Sequence, residues 1–224
     1  MSMDNTSKET KGTRWLLACG AIGCPLFVIV FLMAGTFRSD YSALRYPISS
    51  LSIGDFGWIQ ATNFIITGLL ILVFAIGLRR ALQSGIGAVW GPRLIGLAGI
   101  GLVGAGIFTT DPVFGYPPSA PLVLAQFSTH GHLHDLFSVL VFLGLPIACF
   151  VFSRRFATLE KREWALYSAL TGVGILVTFV LAAIGFSQNP GFVDFAGVYQ
   201  RLSIIIGWTW ITLLAMHSLR NPSL

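Results

Sequence analysis

Six runs of apolar residues dominate the chain, over Trp15–Thr36, Ile59–Leu78, Val89–Phe108, Leu133–Ser153, Trp164–Phe186 and Tyr199–Leu219. Each approaches or exceeds the roughly 20 residues that a helix needs to cross a hydrocarbon layer about 30 Å thick. None carries an acidic or basic residue at its centre. A lone strand would leave its backbone groups unpaired in lipid, and the apolar–polar alternation of a barrel strand is absent. The pattern therefore predicts an all-α integral membrane bundle of six transmembrane helices. It forms one domain over residues 14–220, preceded by a polar segment 1–13 expected to be disordered and followed by a short tail, 221–224.

Composition agrees. Of 224 residues 54% are hydrophobic and only 10% charged, against roughly a quarter charged in a soluble domain. Six spans put both termini on one face. Eleven of the fourteen Lys and Arg residues fall on that face, and only Arg38, Arg45 and Arg201 on the other. This asymmetry predicts cytoplasmic termini in a plasma (inner) membrane. The net charge of +5 is thus a topology signal and a contact for anionic membrane lipids, with no nucleic acid partner implied. The first span lacks a small-x-small cleavage site. Leu16-Leu17-Ala18-Cys19 faintly resembles a lipoprotein box, but Arg14 leaves it no apolar run upstream. Cys19, Cys24 and Cys149 all lie inside spans, which argues against a disulfide framework or a cysteine metal site.

The connections on the two faces differ. Those on the terminal face are short, over 79–88 and 154–163, whereas the opposite face carries longer ones over 37–58, 109–132 and 187–198. Functional groups of membrane proteins often sit in such loops on a rigid helical frame. In the loop after Thr109, prolines forbid a continuous helix, and Leu122 to Phe127 is too short to span; it is expected on the bilayer surface or dipping into the bundle. The third span holds Gly91, Gly96, Gly99, Gly101, Gly104 and Gly106, a composition for close packing that predicts a central helix. No internal repeat of the kind found in transporters is visible.

The candidate chemistry lies on the long-loop face, in "STHGHLHDLF". His130 and His134, four apart, share one face of a helix. Two histidines at that spacing can bind one metal ion, with Asp111 reaching back from the preceding loop as third ligand or histidine orienter. One divalent metal, zinc, is the cofactor this would take. The plainer alternatives are an interfacial helix start capped by Ser128 or Thr129, or proton transfer without metal. Asp135 adjoins the cluster. Arg45, in "LRYPISSLS", is either an interfacial anchor paired with Asp40 or a clamp for an anionic headgroup. Ser49 stands beside it as a ligand-facing hydroxyl. Arg201, one turn into the sixth helix, is expected to pair with Asp111, Asp135 or Asp194.

Several of these stretches also carry a resemblance. Pro47 to Ser52 ("PISSLS"), Trp58 to Arg80 ending in "GLRR", "TDP" at Thr110–Pro112, the histidine-bearing start of the fourth helix, and Gln200-Arg201 together resemble a six-helix prokaryotic membrane family, number 998 of the domain-of-unknown-function series. The likeness runs over about residues 15–220. It departs at Ser50, where the commoner form carries an acid. It implies the six-span fold and no reaction.

Two kinds of function remain open. One is a non-catalytic membrane protein that binds a lipid, a small ligand, a partner protein or a second copy through its extracytoplasmic loops. Arg45, Ser49, Asp135 and Arg201 are its candidate contacts. The other is a metal-dependent intramembrane hydrolase or transferase acting on lipid. There Asp111, His130 and His134 would hold the metal and activate water, and Arg45 or Arg201 would neutralise an oxyanion.

Overall fold

The computed structural model describes residues 2–82, 84–113, 115–122 and 126–221, with side chains from Lys11 onward. Part of the Leu122–Phe127 segment and most of the C-terminal tail lie outside these residues. The chain folds as six long helices: α1 Ser2–Thr36, α2 Gly57–Ala81, α3 Trp90–Ile107, α4 Thr129–Thr158, α5 Arg162–Phe186 and α6 Ala196–Arg220. All six contain a segment long and apolar enough to cross a membrane. Among the described residues there is no strand, only an isolated bridge between Val113 and Tyr116. α1 begins at Ser2 and so runs back through most of the polar segment that composition alone left without structure.

Each helix packs on its neighbours in sequence, and α6 closes on α1, so the bundle is a ring. The ring is filled by large side chains, with Phe27, Phe74, Phe152, Phe156, Trp208 and Trp210 all fully buried. Its perimeter is apolar as well: Leu69, Ile76, Ile100, Leu166 and Leu170 are exposed. A soluble protein does not display such a surface, whereas a lipid-facing one needs it.

The glycine-rich α3 is a wedge between α2 and α4 rather than a central helix. A Cβ on Gly68 of α2 would stand 2.7 Å from the Gly99 carbonyl oxygen, and one on Gly99 would stand 2.9 Å from that of Gly68. The two backbones touch there, and only glycine on both sides permits it. On the other flank Gly104 receives the Phe137 ring of α4. Glycine thus serves two seams, leaving Leu97, Ile100 and Ile107 on the perimeter.

At the terminal end the loop between α2 and α3 is held by Arg155 of α4, which donates to the carbonyls of Ser84 at 3.0 Å and Ile86 at 2.9 Å. Arg14 of α1 reaches the Leu219 carbonyl, joining the chain's two ends. The opposite end carries the long loops and the candidate chemistry.

Candidate functional site

Residues 37–56 form a strap across the long-loop end, built around a 3₁₀ turn at Ile48–Ser52. Arg201 organises it. The residue is buried, at 8% exposure. One Nη1 donates to the Tyr46 carbonyl at 3.0 Å and the Gly197 carbonyl at 2.9 Å, and Nη2 donates to the Tyr41 hydroxyl. The guanidinium also lies over the Tyr41 ring, 5.5 Å from its centroid. The expected carboxylate partner is not what the structure supplies. Among the described residues none of Asp111, Asp135 and Asp194 forms an ion pair with Arg201, which is met by carbonyl dipoles and a phenol instead. A buried cation demands such acceptors when no acid is within reach.

The rest of the first turns of α6 grips the same strap. The Gln200 side-chain oxygen accepts from the Ile48 backbone at 2.8 Å, and the Val198 amide donates to the Leu44 carbonyl at 3.1 Å. Gly197 lies so close beneath that a Cβ would meet the carbonyls of Tyr46 and Ala43 at 2.6 and 2.7 Å. Tyr41 is buried, which raises its phenol's pKa above the usual tyrosine value, with the nearby Arg201 charge opposing that rise. Tyr41, Tyr46 and Tyr116 form an aromatic cluster that links the strap to the second long loop. Arg38 adds a link by donating to Ile53 O at 2.7 Å and to the Tyr116 hydroxyl at 3.0 Å. Arg45 is half-buried, and its Nε has no hydrogen-bond partner among the described residues; it makes no ion pair with Asp40.

The second loop leads from α3 into α4. Ser128 caps α4, its hydroxyl accepting from the Gly131 amide at 2.9 Å. Asp111 accepts from the Ser128 amide at 2.8 Å and rests against the Cα of Gly131. Its charge therefore sits at the positive end of the α4 dipole. Any side chain at position 131 would occupy the carboxylate's place. His134 is buried at 3% exposure. Its Nδ1 lies 2.9 Å from the Ala105 carbonyl and 2.8 Å from that of Phe108, at the C-terminal end of α3. Two acceptors at one ring nitrogen place a proton on Nδ1.

His130 points away. It is exposed and meets the Phe108 ring edge-on, 5.6 Å between centroids, while exposed His132 lies near the Phe127 ring. His130, His134 and Asp111 thus gather at one junction, but each faces a different group. Among the described residues no set of three or more His, Cys, Asp or Glu side chains is placed to hold a metal ion.

What the junction does frame is a cavity of about 770 Å³, reaching from the long loops down between the helices. Its deeper walls are Phe27, Phe64, Leu102, Phe142, Phe179 and Ile204. Its polar groups are Ser49, Thr110, His134, Asp135, Ser138, Ser187, Gln188 and Gln200. Val139, which also lines it, is 41% exposed, so the cavity meets the bundle perimeter beside α4. Of the residues singled out in the sequence, Ser49, His134 and Asp135 line the cavity, whereas Arg45, Asp111, His130 and Arg201 do not. Asp135, roughly 9 Å into α4 from its first residue at 1.5 Å per residue, makes no hydrogen bond or ion pair with any described residue.

Sequence reasoning missed Ser138 and Gln200. Ser138 carried a signal, since it stands four residues after His134 and so on the same helix face. It also missed a buried polar face on α2. There Asn63 donates to the Phe27 carbonyl at 3.1 Å and to Gln60 at 3.3 Å, with Thr67 one turn further on.

The family model described as "Protein of unknown function (DUF998)" matches residues 21–217. That range takes in most of the first and sixth spans, the four between them, the strap and the cavity. The chain belongs to this family. No curated protein and no solved structure matches it. DUF998 membership brings no named activity, so the function of this family member rests on its own geometry.

Proposed function

We propose that this DUF998 protein is a non-catalytic membrane protein that binds one amphiphilic molecule, a lipid or small lipid-like ligand, in the cavity at its long-loop end. The single observation behind the reading is the division of the cavity wall: aromatic and aliphatic side chains line its depth, and hydroxyl, amide, imidazole and carboxylate groups collect near the loops. Small-molecule sites have this make-up, with volumes of roughly 300–1,000 Å³. The exposed Val139 gives a route from the bilayer beside α4, and the hydrogen-bonded strap keeps the polar end in place. The lysine and arginine bias supports a cavity on the extracytoplasmic side of the plasma membrane.

The test is native mass spectrometry of protein purified in mild detergent, beside Ala183→Phe, which places an aromatic ring on the cavity wall. A bound species of lipid mass in the parent and its loss in the variant are expected, with little change in melting temperature. Equal occupancy in both, or none in the parent, would overturn the reading.

A further inference from the structure

We infer that the headgroup taken at this cavity carries no phosphate and that the ligand is a hydroxyl- or amine-bearing amphiphile. This rests on the binding reading above and concerns the chemistry of the same wall.

The polar groups facing the cavity are one carboxylate, one imidazole, two amides and several hydroxyls. His134 holds the Ala105 and Phe108 carbonyls with its Nδ1, so only Nε2 is left for the cavity. Asp135, the next residue, is exposed and brings a carboxylate that makes no hydrogen bond or ion pair with a described residue. Ionisable groups within membrane helices are costly and face partners or functional cavities. Gln200 spends its oxygen on the Ile48 amide, which leaves its NH₂ as a donor, and Gln188 adds a second, its buried Nε2 having no hydrogen-bond partner among the described residues. Ser49 and Ser138 serve either role.

The cations complete the pattern by their positions. Among the described residues no Lys or Arg lines the cavity. Arg201 is committed to Tyr41, Tyr46 and Gly197, and Arg38 to Ile53 and Tyr116. A phosphate here would meet a carboxylate with no Lys or Arg on the wall to offset the two charges. A hydroxyl would donate to Asp135 and accept from the Gln188 or Gln200 amide. An ammonium would pair with Asp135 directly.

The experiment offers the detergent-purified protein three probes with one C18 mono-unsaturated chain each: monooleoylglycerol, oleylamine and oleoyl lysophosphatidylglycerol. Binding is read by native mass spectrometry in equimolar competition. A preference on the order of tenfold for one of the phosphate-free probes over the lysophospholipid is expected, the scale of one hydrogen bond to a charged group. Which of the two wins tells a hydroxyl headgroup from an amine. Asp135→Asn is expected to cut that preference to about threefold or less. Lysophospholipid bound as well as the others in the parent protein would overturn the inference and leave the cavity reading standing. So would a preference untouched by Asp135→Asn in a variant that melts like the parent. If that variant does not fold, the parent's three-way competition decides alone. If none of the probes binds, the cavity reading falls and this inference falls with it.

Discussion

Arg201 and Tyr41 stand 160 positions apart in sequence, yet a guanidinium–phenol hydrogen bond joins them inside the bundle. This contact fastens the loop after the first helix to the start of the last. Replacing Arg201 with Met would leave the Tyr46 and Gly197 carbonyls and the Tyr41 hydroxyl without their charged donor, at a cost of about 2–3 kcal/mol. The expected signs are a lower midpoint in denaturant and new tryptic cleavage at Arg38 or Arg45 in the loosened strap. Arg201→Lys is expected to recover only part of the loss, because one ammonium cannot reproduce the fork that reaches these acceptors. Unchanged stability and an intact strap in Arg201→Met would show that the network is ornamental.

Gly197 makes a second point on the same seam. Gly197→Ala would drive a methyl into the Tyr46 and Ala43 carbonyls. A cost of about 1–3 kcal/mol is expected for this overpacking. Gly191→Ala is the control, because its surroundings are open apart from the Asn189 side chain at 3.5 Å. Thermal unfolding in detergent separates the two.

His134 is predicted to hold the helix end of α3 whatever the cavity binds. His134→Ala would strip the Ala105 and Phe108 carbonyls of their donor and cost about 1–3 kcal/mol. His130→Ala removes an exposed ring and is expected to shift stability by no more than about 0.5 kcal/mol. The spacing of four residues invites treating the two histidines as equals; a side-by-side melting curve is expected to show that they are not.

Tyr41 gives a pH prediction with a definite sign. Its folded pKa lies above the ordinary value, so the folded state keeps a proton that the unfolded chain loses. The resulting stability is complete below the unfolded pKa of about 10 and is lost as pH rises through the higher folded value. Denaturant midpoints are expected to fall from about pH 10 upward. Tyr41→Phe is expected to flatten that fall. A parallel slope in the variant would remove Tyr41 as its cause.

The spans were legible in the sequence because lipid imposes a simple demand, a run of apolar residues that satisfies its own backbone. Ile59–Leu78 was read for a helix that extends over Gly57–Ala81, and Leu133 was read as the start of a span that begins at Thr129. The second difference comes from a polar first turn, where Ser128 and Asp111 cap a helix start that hydropathy alone does not register; α2 runs on past Leu78 through Arg79 and Arg80, which hydropathy reads as loop. Arg201 was legible as a buried cation but its partners were not, since backbone carbonyls leave no mark in a sequence. The same holds for His134: nothing in "HGHLH" announces that two carbonyls 26 and 29 residues earlier will wait beneath it. The α3 glycines announced close packing correctly, but composition does not say which two neighbours they admit.

The closure of α6 on α1 has a consequence for how the protein is made. Synthesis delivers α1 and its strap first and α6 last, so Tyr41 and Tyr46 enter the membrane before their cation exists. Until Arg201 arrives the first five helices form an open arc, with the strap unfastened and the seam beside α1 uncovered. Assembly therefore ends in one late event, and a chain stopped short of α6 exposes that seam and an unanchored loop to the cell's quality control.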